Sequence, residues 1–290
     1  MRGSNAQVFQ LFDRAASLLT DREELLSLVV GPAKPGPFSL VIRSPAGLKP
    51  ESLHNRLTIG APLRSSQGAI YGSNIRIDIS QALLWRPALA AHEVVPAAIQ
   101  PAAAALREVL ATAAPDDSLA GLVRGRADGP YHQQASRAWR DLAAGWRAND
   151  PRRLSKGASR LAGLGPGLTP AGDDFLMGCL LASAALGTGR PEAGLAEAVV
   201  EAGRGRTNRL ALAHLQAAAG GEASWDWHEL IGGMAAGDWE DVAKTGRRIA
   251  ALGHTSGADA LTGFVLGLEL FARAPDGAAN SAPAGGRLSY

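Results

Sequence analysis

The chain has a single cysteine, Cys179, among 290 residues. That excludes an internal disulfide and any cysteine-based zinc site. Six histidines are scattered along the chain with none at i, i+4 spacing, so a histidine metal site is not expected. No run of 18 apolar residues is present, so a membrane-spanning helix is not expected either. The N-terminal stretch carries Arg14, Asp21 and Arg22 and lacks the uncharged apolar core of a signal peptide, which points to a cytoplasmic protein. An excess of one charge is also missing. Lys plus Arg is 29 against 27 Asp plus Glu, a formal net charge of +2, which argues against a nucleic-acid partner because such binders need a concentrated basic face. Lysine is scarce, with four against 25 arginines. Together with the richness in Ala and Gly, this reflects genome base composition as readily as chemistry.

Hydrophobic residues make up 46% of the chain and charged residues 19%, an ordinary globular composition for one large domain or two smaller ones. Val8, Leu11, Phe12, Ala15, Leu18 and Leu19 follow helical spacing, which predicts an amphipathic helix over 5–19 with Ser4 or Asn5 as cap. Leu25 to Val30 and Phe38 to Ile42 are short apolar runs bounded by Gly and Pro. Ile75, Ile77 and Ile79 alternate with polar residues as in a half-buried strand, and Leu57-Thr58-Ile59 and Ala69-Ile70-Tyr71 are shorter strand candidates. A helix is expected to open at Pro101 and run to about Thr112. The segment 115–130, dense in Pro, Asp and Gly, reads as a join, and only helical patterns follow it. The expectation is an α+β protein: residues 1–130 a small mixed or antiparallel sheet with helices, residues 131–272 mainly helical, and residues 273–290 a disordered tail.

The sharpest feature is Gly163-Leu164-Gly165-Pro166-Gly167-Leu168-Thr169-Pro170-Ala171-Gly172-Asp173-Asp174, followed by an apolar helix from Phe175 to Leu186. Glycines at a helix N-terminus suit anion binding, because free N–H groups and the helix dipole both favour negative charge. The segment is neither a P-loop, since no Gly-Lys-Ser/Thr follows, nor a dinucleotide fingerprint, since no strong strand precedes it. A shorter version, Gly253-His254-Thr255-Ser256-Gly257-Ala258-Asp259, opens the apolar helix Ala260 to Phe271. Thr169 matches Thr255, Gly172 matches Gly257, Asp174 matches Asp259 and Gly178 matches Gly263, with one residue gapped. Gly178 and Gly263 would let the two helices pack closely. The two helix starts are expected to face one another across a single pseudo-twofold site. Each Asp could equally serve its helix dipole, and each Thr could be a cap.

A third candidate is Arg206-Thr207, at the start of the helix containing Leu210 and His214. Arg206 could clamp a carboxylate or phosphate, or could lie in a solvated basic turn. His214 reads as a core histidine, and Trp225 and Trp227 as packing anchors. Asp116-Asp117 lies in the join without a supporting Gly or His pattern and is not counted as catalytic. Cys179 reads as inert inside a buried helix.

The two Gly-Asp blocks and the Arg206-Thr207 helix start resemble the AllH-like family, whose best-known members are a subunit of oxamate carbamoyltransferase in bacterial allantoin (ureide) catabolism. The resemblance extends over most of 5–272, although only the two loops are specific. The family usually has Ser where this chain has Ala171. The resemblance implies carbamoyl transfer, with oxalurate and phosphate giving oxamate and carbamoyl phosphate, and a partner subunit that is FdrA-like. It would assign Asp173, Asp174 and Asp259 to catalysis. Gly165, Gly167, Thr169, Gly172, Arg206, Thr207, His254, Thr255, Ser256 and Gly257 would bind the small anionic substrate: phosphate, carbamoyl phosphate or an oxamate-like acid. A carboxylate beside phosphate costs repulsion unless a cation intervenes, so Mg²⁺ at Asp173, Asp174 and Asp259 is one expectation and a capping role for one of them another. Two alternatives stand beside this reading. One is a Mg-dependent hydrolase, since paired Asp residues at helix starts resemble ADP-ribosylglycohydrolase-like proteins by analogy of fold. The other is a non-catalytic anion-binding or scaffolding subunit.

Overall fold

The computed structural model describes residues 5–31, 34–43, 52–91, 94–126, 129, 131–187 and 189–272. The tail expected at 273–290 lies outside these residues. The chain forms two compact units, one of residues up to Ala88 together with Glu222–Asp226, the other of Leu89–Gly221 together with the chain from Trp227 onward.

The first unit is a sheet of β1 (Asn5–Leu11), β2 (Ala15–Thr20), β3 (Leu25–Val30), β4 (Ser39–Ile42), β5 (Pro62–Ser66), β6 (Ala69–Tyr71) and β7 (Arg76–Asp78). The strand order is β4-β3-β2-β1-β5-β6-β7. Every neighbouring pair is antiparallel except β3 with β4. The sheet is therefore mixed, as the sequence suggested, and its core is built from Val8, Leu18, Leu28, Leu63, Ile70 and Ile77.

Residues 5–19 are not a helix. They form a hairpin in which Val8 pairs with Leu18, and the Phe12 N–H closes the turn on the Ala15 carbonyl at 2.7 Å. The apparent helical spacing comes from two period-two strands whose phase is reset at Asp13-Arg14. Pairing with β3 and β5, which are distant in sequence, decides the outcome over local periodicity. Leu57-Thr58-Ile59 is not a strand either: Leu57 enters the core while Ile59 is 69% exposed. The strand is β5, whose only fully buried residue is Leu63, so no apolar alternation announces it. Trp225 belongs to this unit, with its N–H on the Pro35 carbonyl at 3.0 Å and its ring 6.4 Å from that of Trp85.

The second unit holds α1 (Pro96–Ala113), α2 (Gly121–Arg124), α3 (His132–Arg147), α4 (Pro151–Leu161), α5 (Ala171–Leu186), α6 (Ala193–Gly203), α7 (Arg209–Ala219), the body of α8 (Trp225–Ala236), α9 (Trp239–Ala250) and α10 (Ser256–Phe271). The helix expected to open at Pro101 starts at Pro96 and keeps Pro101 inside it. Pro96 takes the first helical position, where its missing N–H costs nothing. Ala98, Ile99, Ala102, Ala103 and Leu106 then bury one continuous face across Pro101, which offsets the lost hydrogen bond. The helical unit begins at Leu89, so α1 and the 115–126 segment belong to it.

The helical unit contains a structural repeat: α3-α4-α5 corresponds to α8-α9-α10. Asp150 caps α4 by accepting the N–H groups of Arg152 and Arg153, and Asp238 caps α9 by accepting that of Asp241. Asp141 of α3 pairs with Arg160 of α4 at 2.6 Å, and Glu229 of α8 pairs with Arg248 of α9 in the same positions. Trp139 packs on Phe175 of α5 at 5.5 Å between ring centroids. Its counterpart Trp227 packs on α10 at 5.1 Å, there on Phe264, about one turn further along the helix than the position equivalent to Phe175. Gly172 and Gly257 donate their N–H to Leu164 and Leu252 at 2.9 and 3.0 Å.

The repeats meet along α5 and α10, which run in the same direction. Gly178 faces Ala260 and Phe264, Gly263 faces Phe175, and Gly267 faces Cys179 and Ala182, so positions advance together along both helices. A Cβ added at Gly178 would lie 1.8 Å from the Ala260 carbonyl oxygen, and one at Gly263 would lie 1.9 Å from that of Phe175. These are backbone atoms of buried helix segments, so they cannot yield. Gly178→Val and Gly263→Val should each cost more than about 3 kcal/mol in urea unfolding, the upper range for overpacking. Gly232→Ala, where an added Cβ meets nothing within 4 Å, should be neutral or gain up to about 1 kcal/mol.

Candidate functional site

Because α5 and α10 are parallel and in contact, their N-termini lie side by side. The two loops touch through their hydroxyls, with Thr169 Oγ1 2.7 Å from Ser256 Oγ. Neither Thr169 nor Thr255 caps its helix: the N-cap of α5 is Pro170, and Thr255, the N-cap of α10, makes no side-chain cap bond. In the repeat Pro170 corresponds to Thr255 and Ala171 to Ser256, which places the gap seen between the two sequences inside the longer loop.

Three carboxyl groups lie at this end, and all are buried: Asp173 is 2%, Asp174 7% and Asp259 0% exposed. Their surroundings differ. Asp173 accepts the Gly163 N–H at 3.0 Å on one oxygen and the Thr207 hydroxyl on the other. It is a tie between its own loop and the start of α7. Asp174 lies beside the hydroxyls of Ser256 and Thr169, and its Oδ2 is buried without a hydrogen-bond partner. Asp259 accepts the Leu119 N–H at 2.6 Å on Oδ1, while its Oδ2 is likewise buried and unpartnered.

Burial dominates the electrostatics. It pushes Asp174 well above the usual carboxylate range, Asp259 and Asp173 add repulsion in the same direction, and the Ser256 and Thr169 hydroxyls oppose it. Burial pushes Asp259 up to about 7, against the Leu119 N–H, the Thr255 hydroxyl and His254. Asp173 is also raised by burial and is opposed by Thr207 and Gly163. The surroundings of Asp174 thus favour its protonated form more than water does.

The other predicted residues fall around this centre. Gly165 and Gly167 take left-handed backbone (φ 105° and 94°), and Gly167 lies in an exposed part of the loop. Gly172 and Gly257 sit tight against the carbonyls of Leu161 and Ile249. Arg206 is exposed, and its own carbonyl lies against Gly163. Thr207 is held by Asp173, and Asn208 caps α7 while its side chain donates to the Leu168 carbonyl at 2.8 Å. His254 is exposed and pairs with Asp117 at 2.8 Å. Asp117 therefore does have a histidine partner, brought from far along the chain, although no local pattern around it showed one. Burial lowers His214, consistent with a core histidine, and raises the thiol of Cys179, whose Sγ faces the Gly263 carbonyl. Among the described residues no three His, Cys, Asp or Glu side chains group as a metal site, and Asp173 is turned away to Thr207 and Gly163. Sequence reasoning missed Leu119, whose contribution is a backbone N–H and so carries no residue-type signal. Two cavities in the helical unit, about 360 and 500 Å³, share no residue with this centre.

A buried, reciprocal pair of loop-helix units with carboxyl groups at both starts defines the class of site. Residues 161–268, somewhat over a third of the chain, are similar to the family model of the oxamate carbamoyltransferase subunit AllH. The match begins at the C-terminus of α4 and includes both loops, α5 and most of α10. No curated protein and no solved structure matches the chain significantly. Among the described residues no helix is long and apolar enough to cross a membrane.

Asp259 carries a pH signature. Between about 3.9, the ordinary value for Asp, and about 7 the folded state binds the proton more tightly than the unfolded chain, so this group's contribution to stability declines as pH rises. Asp259→Asn keeps an acceptor for Leu119 and removes the titration. Its melting temperature should fall less than that of the wild type between pH 4 and 7.5. Parallel melting curves would refute the upward shift.

Proposed function

We propose that the chain is a subunit of a carbamoyltransferase acting on small ureide-derived anions, converting oxalurate and phosphate to oxamate and carbamoyl phosphate. The observation that carries this reading is the buried, unpartnered oxygen of Asp174 at the meeting point of two helix N-termini, within the span that matches the AllH family. A helix start attracts an anion through its free N–H groups and dipole. With the upward shift of Asp174, a protonated carboxyl there would add a donor without repelling phosphate.

The reaction breaks the bond between the carbamoyl carbon and the oxamate nitrogen, and a phosphate oxygen forms the new bond to that carbon. The departing nitrogen needs a proton, which Asp174 can supply, and the same group takes a proton from oxamate in the reverse direction. Asp259, fully enclosed, influences Asp174 through its charge. Arg206, exposed beside the loop that Asp173 ties down, can hold the oxamate carboxylate. The backbone of Gly165, Gly167 and 254–257 can cradle phosphate. The family is described as a subunit, and an FdrA-like partner would supply the remaining wall of the site.

Thermal-shift titration of the purified chain with phosphate, carbamoyl phosphate, oxamate and oxalurate, each with and without Mg²⁺, tests this. A ligand at 100 times its Kd should stabilise the fold by about 2.7 kcal/mol. Asp174→Asn should abolish the shift for carbamoyl phosphate and oxamate while leaving the unliganded melting temperature within a few degrees. A shift with Mg²⁺ alone would favour the metal-dependent hydrolase. Ligand shifts that survive Asp174→Asn would favour a non-catalytic anion-binding subunit. No shift with any ligand would overturn the assignment of the site to this chain alone.

A further inference from the structure

Behind Asp259 lies a second buried group that the reaction does not use. His132, at the start of α3, is 1% exposed. Its Nε2 is 2.8 Å from the Ser118 carbonyl oxygen, and its Nδ1 is buried with no hydrogen-bond partner. A carbonyl can only accept, so Nε2 carries the proton. The ring is clamped on two sides by backbone: a Cβ added at Gly121 would lie 2.5 Å from it, and one at Gly129 2.0 Å.

The Ser118–Leu119 peptide that receives this bond is the one that reaches the site, since its N–H donates to Asp259 Oδ1 at 2.6 Å. We infer that His132 is a positioning residue for Asp259, acting through this single peptide plane, with imidazole on the carbonyl side and carboxyl on the amide side. Donation to a carbonyl polarises the peptide and strengthens its N–H as a donor, and the fixed ring sets the direction in which that N–H points. The groups around Asp259 are otherwise the Thr255 hydroxyl, His254 with its partner Asp117, and Asp174. Asp117 and Leu119 lie on the same short segment, so the Asp117–His254 contact and the His132 bond hold that segment from opposite ends. The importance of this device for catalysis rests on the function proposed above; the coupling itself does not.

The test follows the carboxyl of Asp259 by carbon NMR in protein labelled at Asp, with Asp259→Asn identifying the resonance. His132→Leu removes the donor, whereas His132→Gln retains an N–H at similar reach. In folded His132→Leu the Asp259 midpoint should rise by about one pH unit, because the carboxylate loses its aligned donor, and His132→Gln should bring most of it back. In the wild type, where no variant need fold, the Leu119 amide proton should titrate with the Asp259 midpoint. An unchanged midpoint in folded His132→Leu, or a Leu119 amide indifferent to that titration, overturns the inference whatever the ligand data show. A midpoint moved by Leu and restored by Gln supports it even if no carbamoyl compound binds, and then only the functional reading falls.

Discussion

The helical unit depends on the contact between α5 and α10 through Gly178 and Gly263. Two parallel helices at backbone contact put like ends of their dipoles together, which is unfavourable unless something at those ends answers it. The first turns hold three acids, Asp173, Asp174 and Asp259, whose ionised forms answer it and whose burial opposes ionisation. Packing forces the two N-termini together, and the resulting positive potential is what a buried carboxyl or a bound anion satisfies. The close approach is also why both helices are apolar on nearly every face and largely buried: α5 and α10 are the centre of the unit, and α4 and α9 deliver the chain to them through equivalent turns.

Burial then decides the chemistry of the carboxyl groups. Asp173 reaches a backbone N–H and a hydroxyl and behaves as a fastener. Asp174 and Asp259 each keep one oxygen without a partner, in surroundings that raise their proton affinity. Leaving such atoms unsatisfied costs stability, and structural capping would not require it, since an exposed Ser would serve a helix start as well. A proton on Asp174, which burial favours, would ease the expected conflict between carboxylate and phosphate.

Much of the site was legible in sequence because its signals are local. The doubled Gly-Thr-Gly-Asp order marks two loop-helix starts, and glycine at Gly178 and Gly263 marks close packing. The rest was hidden for physical reasons. The hairpin of β1 and β2 imitates a helix because a turn resets its strand phase, and only partners distant in sequence reveal it. Leu119 contributes a backbone group, and any residue type would carry the same N–H. Asp117 looked isolated because its partner His254 lies at the far end of the helical unit's sequence. His132 gave no pattern because its role depends on Gly121 at the start of α2, on Gly129 and on the Ser118 carbonyl, none of which marks the ring by residue type.

The repeat is close but unequal, and the inequality lies at the site. Ser256 faces Asp174, but its counterpart is Ala171; Asp259 instead has the Leu119 N–H and the hydroxyl of Thr255 from its own loop. Asp173 ties its loop to the start of α7, but its counterpart is Ala258, and the α10 side is held by the 117–119 segment instead. A symmetric frame of two helix starts therefore carries two different walls: one with hydroxyls, an exposed arginine and a long glycine-rich loop, the other with a shorter loop and a fixed peptide. Identical walls would suit two identical ligands. The carbamoyl transfer proposed above would use two unlike ones, a planar oxamate and a tetrahedral phosphate, and an unequal pair of walls suits that requirement.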